Sequence, residues 1–253
     1  MQTNIVVGIR KFVLISLIWL ISCVGLADDA VIIAAEDSWP PFSDTSGHGI
    51  SYNLVSAAFA KVNRTINIRV MPYVRALKYT ERGLVDACWN VTRQPSTEAL
   101  FHFGKEPLLK AQASYFYPKG KELNLTDPAT IPDNLRIGVI IDYEYGNEYS
   151  KHKKRFKEVA VSSQQQLIKM LKVERIEAAI MFDEVAKYTL KEMGLTEDTI
   201  AKGKVNHISD IYVAFSKKKA GYKTLTSEFD MGLHALKASG EYERIFNINP
   251  DSN

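Results

Sequence analysis

Gly83-Leu84-Val85-Asp86-Ala87-Cys88-Trp89 and Arg175-Ile176-Glu177-Ala178-Ala179-Ile180-Met181 are two versions of one phrase. In each, a helix end and a short turn lead to an acid, an alanine and an apolar run. Short apolar runs bounded by turn residues read as buried strands. Ala87 and Ala178 lie 91 residues apart, so the phrase marks corresponding strands in two halves of the chain. The recurrence predicts two similar α/β lobes, each with a mainly parallel sheet.

Working outward from the first copy, residues 31–35 form an apolar strand. Trp39-Pro40-Pro41-Phe42 stops it, because two prolines cannot continue a central strand. Leu54, Val55, Ala58, Phe59 and Val62 then recur at helical spacing. Residues 66–70 alternate as a strand, and residues 76–82 read as a short helix that Gly83 ends. Around the second copy, residues 135–141 form a strand. Ser162 and Ser163 offer caps for a helix carrying Leu167, Ile168 and Leu171. Residues 178–182 are strand, and a helix from about residue 184 runs to Met193, with Gly194 after it. Residues 113–117 and 211–215 are the natural crossings between lobes. A last helix over residues 223–239, closed by Gly240, is expected to return to the first lobe. The expected division is therefore 28–115 and 212–253 for lobe one, and 116–211 for lobe two.

The start of the chain reads as an address. Arg10 and Lys11 precede an uncharged run over residues 12–26, and Gly25 and Ala27 supply the small residues of a cut site before Asp28-Asp29. Basic start, apolar run and small-residue site describe a signal peptide over residues 1–27. The run is shorter than the ~18 residues of a membrane helix. Leu20-Ile21-Ser22-Cys23 loosely fits a lipobox and offers lipid anchoring as the rival, although apolar residues follow Cys23. The expected location is the periplasm.

Of 253 residues, 226 remain after cleavage at Ala27, with 30 basic and 29 acidic side chains. A charge of +1 gives no reason to expect nucleic acid as a partner. The basic cluster Lys151, Lys153, Lys154 and Arg155 reads as a solvated helix face. Cys88 alone survives processing, so no internal disulfide forms, and its apolar setting marks it as a core residue. His48, His102, His152, His207 and His234 are scattered, without metal-ligand spacing. Gly47-His48-Gly49 lacks the third glycine of a dinucleotide fingerprint, and no nucleophile elbow or phosphate loop occurs. No metal, cofactor or catalytic set is expected. An exported two-lobed chain without one suggests small-ligand binding in the cleft.

In order along the chain, Glu36-Asp37-Ser38-Trp39-Pro40-Pro41-Phe42, Thr92-Arg93-Gln94-Pro95-Ser96-Thr97-Glu98, Tyr143-Glu144-Tyr145-Gly146 and Ile180-Met181-Phe182-Asp183 resemble stretches of the family 3 periplasmic solute-binding proteins, the group containing polar amino acid receptors of ABC importers. Glu36-Asp37-Ser38-Trp39-Pro40-Pro41-Phe42 is similar to the family's opening loop. Pro72-Tyr73-Val74-Arg75-Ala76 matches a pattern frequent in its less characterised branches. Asp86-Ala87 and Thr92-Arg93-Gln94-Pro95-Ser96-Thr97-Glu98 fall at its D-A strand and T-P-E-R loop, and Phe103-Gly104-Lys105-Glu106-Pro107 at its F-S-x-P-Y stretch. Tyr143-Glu144-Tyr145-Gly146 resembles the S-Y-G loop, and Ile180-Met181-Phe182-Asp183 the strand with a ligand-binding aspartate. Order and spacing together carry the likeness over nearly the whole mature chain. It implies a type II periplasmic binding fold, a hinge-closing cleft, a small polar ligand and membrane subunits of an ABC importer as partners. The chain is read as a monomer and not an enzyme. The rivals are a dehydratase-like enzyme on the same scaffold and a sensor for a separate membrane partner; no acid–base pair is visible for the former.

The resemblance also locates departures. The family's T-P-E-R arginine clamps the ligand's α-carboxylate through a planar fork; here Thr97 stands there. Glu144 replaces a small Ser or Thr, while Asp183 keeps the position that holds the α-ammonium. Arg75 and Arg93 are candidates for a substitute charge. Ligand preference is expected to move away from ordinary α-amino acids. The candidate contacts are Trp39, Tyr73, Arg75, Trp89, Asn90, Arg93, Thr97, Glu144, Tyr145 and Asp183. Several have plain alternatives: core packing for Trp39, Tyr73 and Trp89, surface for Arg93 and Glu144, and a helix cap for Asp183.

Overall fold

A computed structural model of the chain describes residues 30–247. The expected signal peptide, with Cys23, and the cut before Asp28 lie outside the described residues. In chain order the elements begin with β1 (Val31–Glu36), α1 (Ile50–Ala60), β2 (Ile66–Met71), α2 (Tyr73–Glu81) and β3 (Ala87–Thr92). Next come α3 (Pro95–Leu100), β4 (Phe101–Phe103), β5 (Leu109–Pro118), β6 (Arg136–Ile140), α4 (Asn147–His152) and β7 (Lys157–Val161). The chain continues with α5 (Gln164–Lys172), β8 (Ala178–Phe182), α6 (Asp183–Glu192), β9 (Ile200–Ser216), α7 (Tyr222–Ala238) and α8 (Glu241–Phe246).

Two parallel units lie at the ends of one ladder, in the order β2-β1-β3-β9-β5-β8-β6-β7, with β4 also on β9. In the first unit β1 pairs in parallel with β2 and β3. In the second, β6 pairs in parallel with β7 and β8. Antiparallel strands β5 and β9 join them. The 17-residue β9 pairs with β5 along most of its length, then with β3 and β4 near its end. The crossings expected at 113–117 and 211–215 are thus parts of two longer paired strands, where backbone hydrogen bonds run through the connection. A paired two-strand connection bends with its ladder intact.

The two acids before the central strands perform one job. Asp86 Oδ2 accepts from the Ile32 backbone N–H at 2.8 Å, and Glu177 Oε2 accepts from that of Arg136 at 2.8 Å. Each carboxylate satisfies a backbone donor near the start of the neighbouring strand, which explains an acid at that point of both phrases.

Helices cover both faces. On one side, α2 packs over Ala34, Val85, Cys88 and Val91. Cys88 is a free, buried thiol that burial pushes up to about 12. On the other, Leu54, Val55, Ala58 and Phe59 of α1 meet Phe229, Leu233 and Leu236 of α7. Gly232 makes that contact possible, since a Cβ there would sit 2.0 Å from the Ala58 carbonyl oxygen. The last long helix therefore packs against α1, as its sequence position suggests. In the second unit Leu167, Ile168 and Leu171 of α5 pack with Ala186 and Leu190 of α6. Ser163 caps α5, accepting from Gln166 N–H.

Two helix boundaries differ from the sequence pattern. Helix α2 begins at Tyr73 rather than residue 76, because Pro72 supplies a fixed φ of −55° at the N-cap and Tyr73 is buried at once. The loop expected over residues 92–98 contains α3, started by Pro95 and a capping box between Gln94 and Thr97. Among the described residues no helix is long and apolar enough to cross a membrane.

Candidate functional site

Ligands in open α/β sheets bind beyond the carboxyl ends of the strands. Beyond those ends a narrow cavity lies between the two units, lined by Glu36, Trp39, Tyr73, Asn90, Thr92, Tyr143, Glu144, Phe182 and Ile211. Glu36 ends β1, and Tyr143 and Glu144 follow β6, the strand of the second unit that corresponds to β1.

Two hydrogen bonds cross the cavity. The Tyr143 hydroxyl donates to Glu36 Oε1 at 2.5 Å, and the Tyr73 hydroxyl donates to Glu144 Oε2 at 3.1 Å. The rings of Tyr73 and Tyr143 meet edge-on at 5.3 Å. Trp39 stands at 5.1 Å from Phe182, also edge-on, and packs at 4.5 Å on Phe42. Its Nε1 has no hydrogen-bond partner among the described residues. The cis Pro40-Pro41 turn that carries Trp39 is tied back where the Ser43 hydroxyl donates to the Glu36 carbonyl.

Asn90 lies in a β-bulge between Cys88 and Val91, with φ +64°. Asparagine tolerates this left-handed conformation better than most residues. The bulge re-aims its side chain: Oδ1 accepts from the Ser51 hydroxyl at 2.6 Å, and Nδ2 approaches Glu36 Oε2 at 3.5 Å.

Burial governs the electrostatics. It lifts the Glu36 carboxyl to about 8, against lowering by the Tyr143 and Asn90 hydrogen bonds. It lifts Glu144 to about 7, opposed by the Tyr73 hydroxyl. Each acid is further from water than a surface carboxylate, and Glu144 adds like-charge repulsion at Glu36.

Of the sequence candidates, Trp39, Tyr73, Asn90 and Glu144 line this cavity. Arg75, on the outer side of α2, is exposed. Trp89 is buried core, edge-on to Tyr52 at 6.4 Å. Arg93 is exposed, bonded to Glu98 at 2.6 Å and the Gly104 carbonyl at 3.2 Å, and faces the rings of Phe103 and Tyr212. Thr97 is spent on the turn before α3, where its hydroxyl donates to the Thr92 carbonyl at 2.7 Å and accepts from Gln94 N–H at 3.0 Å. Tyr145 folds back, its hydroxyl accepting from Ile140 N–H at 2.7 Å. Asp183 opens α6, and its Oδ2 takes Gln112 Nε2 at 2.6 Å and Lys202 Nζ at 2.7 Å. None of these six is among the cavity's lining residues.

Sequence reasoning passed over Glu36, Tyr143, Thr92, Phe182 and Ile211 as contacts. Glu36 and Tyr143 stand inside motifs already read as cleft loops, so position was the available signal. Two carboxyls, Glu36 and Glu144, face this cavity, each bonded to a tyrosine. Among the described residues no cluster of His, Cys, Asp and Glu forms a metal site. Burial holds His207 neutral, near 4.

Comparison with known proteins supplies the context for this cavity. Residues 31–248 match the model of the bacterial extracellular solute-binding proteins, family 3. An arginine-binding periplasmic protein of Mannheimia haemolytica is 25% identical over 238 residues, spanning 90% of this chain and 94% of that protein. Among solved structures, an ancestral arginine-binding protein bound to arginine superposes with a TM-score of 0.71. It is 18% identical, over 86% of this chain and 96% of that one. A histidine kinase sensor domain with similarity to periplasmic binding proteins gives 0.70 at 16% identity, over 86% and 94%.

Proposed function

The chain belongs to the bacterial extracellular solute-binding proteins, family 3, and from that premise we propose that it captures one small polar solute between its lobes for an ABC importer. The lobes divide at 28–115 and 212–253 against 116–211, and they close about β5 and β9. The protein acts in the periplasm, after export through residues 1–27, as a monomer. The solute contacts Glu36, Trp39, Tyr73, Asn90, Tyr143 and Glu144. The cavity supports this most directly: polar groups from both units converge on a space walled by aromatic side chains, the usual composition of a small-ligand site. The arginine-binding periplasmic protein and the ancestral arginine-binding protein support this reading, whereas the histidine kinase sensor domain shares the fold alone.

The test is native mass spectrometry of the purified mature chain, followed by thermal denaturation with candidate solutes. A retained small molecule, and a solute that raises the midpoint, are the expected results. A solute at ~100 times its dissociation constant adds ~2.7 kcal/mol. A chain that retains nothing and is stabilised by no solute would remove the reading.

One observation favours a second reading. Two carboxyls raised to about 8 and 7 in one cavity are suited to proton transfer, as in an enzyme on this scaffold. Recovery of the bound solute unchanged after prolonged incubation favours capture, and its conversion favours the enzyme.

A further inference from the structure

The geometry points to a small organic cation that carries no carboxylate, an amine or guanidinium compound held between Glu36 and Glu144 and walled by Trp39, Tyr73, Tyr143 and Phe182. This rests on the solute-binding reading above and narrows its ligand.

The argument begins with the charge of the wall. Its nine residues include two acids and no lysine, arginine or histidine. The cations that a carboxylate would seek are exposed or engaged elsewhere. Arg75 is exposed, Arg93 is bound to Glu98 and Gly104, and Lys202 pairs with Asp183. The Thr97 hydroxyl is consumed by its own turn. A carboxylate placed here loses water, gains no cation and meets two acids, a combination that disfavours binding.

A cation finds the reverse. Glu36 and Glu144 come from the ends of corresponding strands in facing lobes, so one positive group between them binds both lobes at once. Each carboxylate has lone pairs beyond those taken by the tyrosines and Asn90. Aromatic side chains complete the wall, and ring faces attract ammonium and guanidinium groups. The cavity is narrow, which restricts the compound to a small one. A carboxylate-bearing basic amino acid satisfies half of this description and violates the other half.

The decisive comparison is agmatine against arginine, two molecules that differ by one carboxylate, with 1,4-diaminobutane and succinate beside them. The mature chain, stripped of solute by unfolding and refolding, is titrated calorimetrically with each. Agmatine or the diamine is expected to bind, with agmatine at least ~100-fold tighter than arginine, and succinate is expected not to bind. Glu144→Gln is expected to weaken the cation at least ~10-fold. Glu36→Gln, similar in shape, is expected to do the same with its circular dichroism unchanged. Arginine binding as tightly as agmatine overturns the proposal and leaves solute capture standing. So does binding of a neutral or anionic solute by a chain that ignores every amine. A refolded chain that binds no solute at all, and retained none on purification, overturns both.

Discussion

The two lobes use one frame and fill it differently. In each, a parallel pair of strands flanks a middle strand, and an acid at the start of a flanking strand receives a backbone N–H from the middle one: Asp86 from Ile32, Glu177 from Arg136. At the opposite, carboxyl ends the likeness stops. Strand β1 ends in the buried Glu36 and the Pro-Pro turn. Strand β6 ends in a loop that offers Tyr143 and the half-buried Glu144. Strand β3 bulges at Asn90, whereas β8 delivers Phe182 and then spends Asp183 on Lys202 and Gln112. The frame is held by backbone hydrogen bonds that any duplicate retains. Chemistry sits at strand ends, where side chains change without disturbing the ladder.

The largest test of this contrast is at the cavity. Glu36→Ala is expected to weaken binding of the cationic solute by 30-fold or more, about 2 kcal/mol, and Glu144→Ala somewhat less because it is closer to solvent. Calorimetry orders the two, and a larger loss at Glu144 would reverse the assignment of the deeper contact to the first lobe.

The pH dependence separates the same two acids. Both have folded values above the ordinary carboxylate, so the solute-free protein holds protons that the unfolded chain releases. Their contribution to stability is complete below about pH 4.5 and is lost as pH rises through about 7 and 8. Urea unfolding from pH 5 to 9 should show a continuous fall that levels off near 8, and in Glu36→Gln a smaller fall that levels off near 7. Solute affinity should run the opposite way and tighten over that range, because the cation needs ionised partners. A stability that rises from pH 5 to 9 and stays level in both variants would contradict the burial of these groups.

The shared frame is open to the same treatment. Asp86→Ala leaves the Ile32 N–H without its acceptor and is expected to cost about 2 kcal/mol, while Glu177→Ala, more exposed, costs about 1 kcal/mol. Equilibrium unfolding measures both, and two negligible losses would show that the acids do not hold the frame. The smallest expected effect is at Arg93. Its exposed pairing with Glu98 predicts that Arg93→Ala changes solute affinity by less than about twofold. A tenfold loss would bring that guanidinium into the cavity and return the site to a carboxylate clamp.

What the sequence determined by itself is local. Apolar periodicity, the two acid-alanine phrases, Pro40-Pro41 and the glycines after helices were enough for most strands, most helices and the two-lobed α/β class, because these depend on near neighbours; β4, β7 and the full length of β5 and β9 were not legible. The family's loops were legible too, since their residues are contiguous. Tertiary structure alone decided which side chains in those loops meet. Tyr143 reaches Glu36 across 107 positions, and Tyr73 reaches Glu144 across 71. Glu36, written beside Asp37, carries no local sign of burial; Tyr143, Asn90 and the Ser43 turn close around it. Thr97, Tyr145 and Asp183 stand where the family motif places ligand contacts, yet each finds a nearer partner in Thr92, Ile140 or Lys202. A motif conveys the position of a backbone, whereas the use of a side chain is set by whichever donor or acceptor the fold brings closest.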